Sequence, residues 1–220
     1  MELKGDGIEV ARGGRLTLQA PDFTVAAGET ALLRGPNGSG KSTLLRALAG
    51  FLPLARGEAT LDGLRLSKDR DGFAERIAYA GHLDAVKPAL TVRANLAGWA
   101  DIFGAPLGRA DAALERFALS HVADMPAAYC SAGQKRRLGL ARLLVVDRPV
   151  WLLDEPTVSL DASAVKLFAD AVAEHCGGGG IAIAATHIDL GLAAGPVIQL
   201  TPPTERAAEA DDPFLSESWA

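Results

Sequence analysis

Cysteine is nearly absent from this chain: its 220 residues include two, Cys130 and Cys176. They form no CxxC pair and stand far apart in sequence, which speaks against a disulfide framework and against a zinc site and fits a reducing, cytosolic compartment. Also missing is any uninterrupted apolar run of about 20 residues, the length that crosses a bilayer. The opening Met1-Glu2-Leu3-Lys4-Gly5-Asp6 has no apolar signal core. Any membrane role is therefore expected to come through a partner. An excess of basic residues is lacking too. Lys and Arg number 22 against 27 Asp and Glu, a formal charge of −5. Nucleic acid is thus not expected as a partner, because phosphate neutralisation draws on clustered cations, although the sum leaves a local basic patch open. No internal repeat is visible. What remains is the balance of a soluble globular protein, with 49% hydrophobic and 22% charged residues. The length favours one compact domain with room for an inserted subdomain.

Residues 30 to 34 form a short, mostly apolar run that stops at Gly35, and after Lys41 the spacing of Leu44, Leu45 and Leu48 predicts a helix. Gly50 marks its end and Pro53 lies just beyond. Three further strand-like runs are Arg76 to Ala80, Val150 to Leu153 and Ile181 to Ala185, the last of them preceded by the turn Gly177 to Gly180. Apolar strands joined by long helical connections predict an α/β fold, a parallel sheet with helices on both faces. Between His82 and Cys130 the pattern is helical alone. Thr91 is a candidate N-cap there, and Val92, Leu96, Trp99 and Phe103 line one helix face, as ordinary core packing would also produce. From Pro202 onward, Pro, Glu, Asp and Ser predict a loosely held acidic tail. The expected organisation is a domain over residues 1–200, a helical insert over 83–130 and the tail over 201–220.

Gly35-Pro36-Asn37-Gly38-Ser39-Gly40-Lys41-Ser42 matches G-x-x-x-x-G-K-[ST] and sits between an expected strand and an expected helix, the context the motif requires. Glycines allow successive backbone N–H groups to turn inward around phosphate oxygens, and the helix adds its positive N-terminal end. Lys41 is expected to reach the β- and γ-phosphates, and the Ser42 hydroxyl to ligate Mg²⁺. Val150-Trp151-Leu152-Leu153-Asp154-Glu155 is an apolar strand ending in two acids. Asp154 is expected to support the metal. Glu155 is expected to hydrogen-bond the attacking water, as general base or as the group that orients it. Ser131 and Gln134 in Cys130-Ser131-Ala132-Gly133-Gln134 form an S-x-x-Q capping box ahead of a basic helix from Lys135 to Val146. A helix N-terminus with a Ser hydroxyl and a glycine backbone can also receive a phosphate.

In order along the chain, Gly35 to Ser42, Ser131 to Gln134, Asp154-Glu155, Ser159-Leu160-Asp161 and His187 resemble the ATPase subunits of ABC transporters, over residues 1 to about 200. The resemblance implies a P-loop NTPase of the ABC ATPase type: a mainly parallel sheet core, an N-terminal antiparallel β part and an inserted helical subdomain. It implies ATP held by Gly35 to Ser42 and Thr43 of one protomer and closed over by Ser131, Gly133 and Gln134 of a second, an ATP-sandwich homodimer with Asp161 at the seam. His187 would contact the γ-phosphate and the water. The implied cofactors are ATP and Mg²⁺.

Departures from the family pattern carry information. Cys130 and Ala132 replace the usual Leu and first Gly of the signature. Arg12 stands where an aromatic residue normally stacks on adenine, and a guanidinium can stack in its place. His82 replaces the usual glutamine after the strand Arg76 to Ala80, a position that links metal and water to the membrane partner. Ala-Tyr-Ala-Gly-His, Leu90-Thr91-Val92, Asn95-Leu96 and Val-Trp-Leu-Leu-Asp-Glu-Pro together resemble the haem-export ATPases of cytochrome c maturation. That resemblance implies integral membrane subunits as partners, a location on the inner face of the bacterial cell membrane, and no direct contact of haem with this chain. The other readings are the ATPase of a small drug, lipid or lipoprotein efflux system, and a soluble ABC ATPase acting on DNA, RNA or ribosomes. The acidic charge and the lack of a basic or coiled-coil extension weigh against the last.

Overall fold

A computed structural model describes residues 1–106, 108–186, 191 and 195–203. The N-terminal part is antiparallel. Strand β1 (Glu2–Arg12) turns through Gly13-Gly14 into β2 (Arg15–Gln19) and also pairs with β3 (Phe23–Ala26). On its other edge it pairs with β5 (Arg56–Leu61), which hairpins through Asp62-Gly63 into β6 (Leu64–Arg65). Gly57 sits with its Cα against the Gly7 carbonyl, where a Cβ would lie 2.2 Å from that oxygen. The closeness marks the irregularity in register between Asp6 and Glu9.

The second sheet is wholly parallel. Its five strands run in the order β10 (Val197–Gln199), β4 (Thr30–Arg34), β9 (Ile181–Ala185), β8 (Val150–Asp154) and β7 (Ile77–Ala80). The strands depart in detail from the sequence expectation: β7 begins one residue later, at Ile77, β8 extends one residue further, to Asp154, and β10 follows the runs read from sequence. β10 is three residues long and its ends are exposed, so its apolar signal is too short to read.

Alternation along the strands divides the interior into two cores. Val150, Leu152, Ile181 and Ile183 face the antiparallel sheet and α1 (Lys41–Leu48), whose Leu44, Leu45 and Leu48 are fully buried. Trp151, Leu153, Ala182 and Ala184 face the opposite way. There they meet α5 (Ala132–Val146) and α6 (Ala162–Gly177), with α3 (Val92–Phe103) and α4 (Gly108–Arg116) packed on α5. Helices do lie on both faces, as expected, but the face of α1 is shared with the antiparallel sheet. One eight-residue helix is too short to cover a five-stranded face, and the apolar side of the antiparallel sheet completes the layer. The short α2 (Arg70–Ala74), capped by Asp69, links β6 to β7.

Thr91 caps α3 by accepting the Ala94 N–H at 3.0 Å. The stripe expected on that helix is buried only at its start. Val92 and Leu96 lie in the core, Trp99 is half-buried, and Phe103 is 38% exposed. There the two rings stack, and Arg142 and Arg148 lie over them at 5.4 and 5.0 Å.

Candidate functional site

The loop from β4 to α1 is shaped by its glycines. Gly35 has φ +149°, and a Cβ there would come within 2.5 Å of the Leu200 carbonyl and 2.6 Å of Ser39 Oγ, so the chain can pass only without a side chain. Gly40, at φ +95°, stands at the N-cap of α1 and supplies no side-chain cap. The N–H groups of that first turn consequently lack the partner a Ser or Asp would give and remain for a ligand. Lys41 folds back over the loop, donating from Nζ to the carbonyls of Gly35 at 2.8 Å and Pro36 at 3.1 Å.

Asp154 ends β8, 4% exposed, directly beside this loop. Ser42 Oγ donates to its Oδ1 at 2.9 Å and the Tyr79 hydroxyl donates to its Oδ2 at 3.1 Å. Burial, with the charge of Asp154 adding to it, pushes the Tyr79 phenol pKa up. Arg46 Nε, 3.5 Å from the same hydroxyl, opposes that rise. Glu155 follows in left-handed conformation, φ +48°, unusual for a residue with a side chain. Its N–H donates to Ala185 O at 2.8 Å, and its carbonyl accepts from Arg136 Nη2 at 2.7 Å.

These groups border one open cavity of 490 Å³. Asn37, Gly38, Gly40, Lys41, Ser42 and Thr43 form one wall, Asp154 and Glu155 another, and Arg12 and Thr17 the third. The site residues expected from sequence therefore divide into two sets. Asn37, Gly38, Gly40, Lys41, Ser42 and Thr43, the two acids and Arg12 come together, while Gly35, Pro36 and the buried Ser39 shape the loop without lining the cavity. Ser131, Gly133, Gln134 and Asp161 do not line that cavity, and neither does His82, which is exposed on the loop after β7. His187 lies outside the described residues; the preceding Thr186 is buried, and its carbonyl accepts from Arg34 Nη1 at 2.7 Å.

At the start of α5, the Ser131 hydroxyl accepts the Gln134 N–H at 3.2 Å and the Gln134 side chain accepts the Ser131 N–H at 2.8 Å. The helix begins at Ala132, earlier than its apolar pattern suggested, because this reciprocal cap draws Gly133 and Gln134 into the first turn. Asp161 caps α6 through the Ala164 N–H at 2.8 Å and the Ser163 hydroxyl at 2.7 Å. Those two bonds hold its carboxyl below the usual carboxylate range.

Thr17, Tyr79 and Arg136 were not singled out from sequence. Nothing local marks Tyr79, since its partner Asp154 is 75 residues away. For Arg136 the one available signal is its place early in the basic helix that Ser131 caps.

Residues 18–158 match the profile of the ABC transporter family. The cytochrome c biogenesis ATP-binding export protein CcmA of Ruegeria pomeroyi is 51% identical over 214 residues, 97% of this chain and 98% of that one. The protein of the same name from Paracoccus denitrificans is 54% identical over 196 residues, 89% of this chain and 87% of that one. Among solved structures, an ATP-binding subunit of an ABC transporter superposes with a TM-score of 0.81 at 21% identity, covering 94% of this chain and 90% of that one. A dimeric ATP-binding cassette in a post-hydrolysis state, bound to ADP and Pi, gives 0.78 at 22% identity over 94% and 99% of the two chains. At such identities these structures speak for the fold.

Proposed function

The chain belongs to the ABC transporter family and, within it, to the cytochrome c biogenesis ATP-binding export proteins, and from that premise we propose that it drives a haem-export complex of cytochrome c maturation. It is an ATPase that turns ATP and water into ADP and phosphate. In the proposed assembly two copies sandwich ATP and dock on integral membrane subunits at the inner face of the cell membrane. Among the described residues no helix is long and apolar enough to cross a membrane, so docking would use the surface of this chain.

The haem-export reading is supported by the likeness to the CcmA proteins, and the ATPase reading by the meeting of Lys41, Ser42, Asp154 and Glu155 around one cavity beside a glycine loop. Phosphates seated against the α1 N-terminus would receive the loop N–H groups, and Lys41 would exchange its two carbonyl acceptors for β- and γ-phosphate oxygens. A hard divalent cation fits the oxygen donors of Ser42 and Asp154, which stand 2.9 Å apart at the cavity wall. When bound, Mg²⁺ supplies charge neutralisation across the phosphates. Asp154 is presented by Tyr79 and Ser42 with both carboxylate oxygens engaged. Glu155, one residue on and turned by its left-handed backbone, would accept the proton of the attacking water.

The second half of the site would come from the other copy. Ser131 is exposed and sits at the N-terminus of α5, away from its own chain's cavity, and Asp161 is likewise exposed. Both suit a face that closes on a partner's ATP. Arg12, at the cavity mouth, offers a guanidinium to the base. Affinity purification from detergent-solubilised membranes tests the assignment. Integral membrane subunits of haem export should co-purify with ATPase activity; recovery with a drug-type permease instead would overturn the haem reading and leave the ATPase intact.

A further inference from the structure

Arg136 is buried and makes four hydrogen bonds through its guanidinium. It is 5% exposed on α5, and its guanidinium reaches two separate pieces of chain, Glu155-Pro156 and the Gly81–Asp84 loop. Nη2 donates to the Glu155 carbonyl at 2.7 Å and Nε to the Pro156 carbonyl at 3.0 Å. Nη1 donates to the Gly81 carbonyl and to Asp84 Oδ1, both at 2.9 Å. A planar fork with five N–H donors is the side chain that can serve four acceptors at fixed angles; an ammonium has three donors and no plane. One helical turn further, Gly139 lets the same loop press onto α5, for a Cβ there would lie 2.8 Å from the Asp84 carbonyl and 2.9 Å from its Cβ.

The acceptors are not arbitrary. Glu155 occupies a sparsely populated backbone conformation, φ +48°, which persists only where surroundings over-determine it. Its peptide is pinned from one side by Ala185 and from the other by Arg136. The Gly81–Asp84 loop carries His82. Arg136 itself belongs to the helix whose N-terminus is Ser131.

We propose that Arg136 is a positioning residue for ATP hydrolysis, locking the Glu155 peptide and tying it to α5 and to the Gly81–Asp84 loop, so that displacement of either is transmitted to the Glu155 carboxylate. The proposal rests on the reading of Glu155 as the group that handles the attacking water. It assigns Arg136 no contact with ATP. Closure of a second copy on Ser131, or movement of a membrane partner against the His82 loop, reaches the acid through this one guanidinium.

Full-length Arg136→Lys, Asp84→Asn and Gly139→Ala, each alone and the first also combined with Glu155→Gln, test it in the assembled membrane complex. Steady-state kcat and KM for ATP are measured there, with ATP affinity by calorimetry and folding by thermal unfolding of the purified subunit. Arg136→Lys should lower kcat roughly 10- to 100-fold, the range of an acid misplaced by about 1 Å, with KM and ATP affinity within about threefold. Asp84→Asn and Gly139→Ala should lower kcat in the same direction by less, and they carry the test if Arg136→Lys does not fold. Because Arg136 acts through Glu155, adding Arg136→Lys to Glu155→Gln should cost little more than Glu155→Gln alone. Folded variants with kcat within twofold of wild type would overturn the proposal. So would a parallel loss of ATP affinity, or full additivity with Glu155→Gln. A Glu155→Gln enzyme with normal turnover would instead sink the reading of Glu155 on which the proposal stands.

Discussion

Replacing Lys41 by Ala should weaken ATP binding without unfolding the protein, and the structure sets the size of the effect. In the free chain the ammonium is not idle: it donates to the carbonyls of Gly35 and Pro36 at 2.8 and 3.1 Å. ATP must compete for it with two neutral acceptors, and what binding gains is the exchange of carbonyl oxygens for charged phosphate oxygens. The ammonium's bonds are charge-assisted in either state, and a phosphate left without its charged donor forfeits about 1.5–3 kcal/mol. At about 1.4 kcal/mol per tenfold, loss of the side chain should raise Kd for ATP roughly 10- to 100-fold. Both carbonyls belong to an open loop, so water replaces the ammonium and stability should fall by no more than about 1 kcal/mol. Isothermal titration with ATP gives the first quantity and urea unfolding the second. Unchanged ATP affinity in a folded Lys41→Ala protein would refute the assignment of this loop to phosphate.

Tyr79→Phe removes the donor to Asp154 Oδ2 and keeps the ring packed edge-on against Phe51, so the Mg²⁺ concentration for half-maximal ATPase should rise; an unchanged requirement would count against Tyr79 as a support for the carboxylate. Gly35→Ala places a Cβ against the Leu200 carbonyl at positive φ and should destabilise the fold by about 1–3 kcal/mol in urea, whereas a neutral outcome would mean that the loop relaxes freely. His175, stacked on Trp151 at 4.0 Å, has its pKa lowered by burial against the smaller opposing pull of the Ile181 and Pro149 carbonyls and Asp147. The unfolded chain therefore takes the proton first: the contribution is fully present above about pH 6.5 and is lost as pH falls through the lower folded value. The fall in Tm between pH 7.5 and 5.5 should be smaller in His175→Phe than in wild type, and equal falls would contradict this.

The phosphate loop was legible because its chemistry is local: every turn residue from Gly35 to Gly40 and both liganding side chains lie within eight consecutive positions. The apolar run of β8 and the acids that end it were readable for the same reason. Contacts made by register were not. β1 and β5 are adjacent through pairs such as Leu3 with Leu61, and nothing in either segment names the other. The antiparallel layer over α1 could therefore be implied by resemblance but not built from periodicity. Nothing in the sequence marks Arg136, which shows there as one residue of a basic helix and not as the point where the carbonyls of Gly81, Glu155 and Pro156 converge. The burial of α3 at one end and its exposure at Phe103 likewise depend on packing between helices far apart in sequence.

Phosphate release from Mg-ATP by wild type and by Glu155→Gln tests the central claim most directly, with ATP affinity measured on the same preparations. The account predicts that Glu155→Gln binds ATP within about threefold of wild type and loses roughly 100-fold or more of its turnover, since an amide keeps the shape and loses the basic oxygen. Near-normal phosphate release from a folded, ATP-binding Glu155→Gln protein would contradict it.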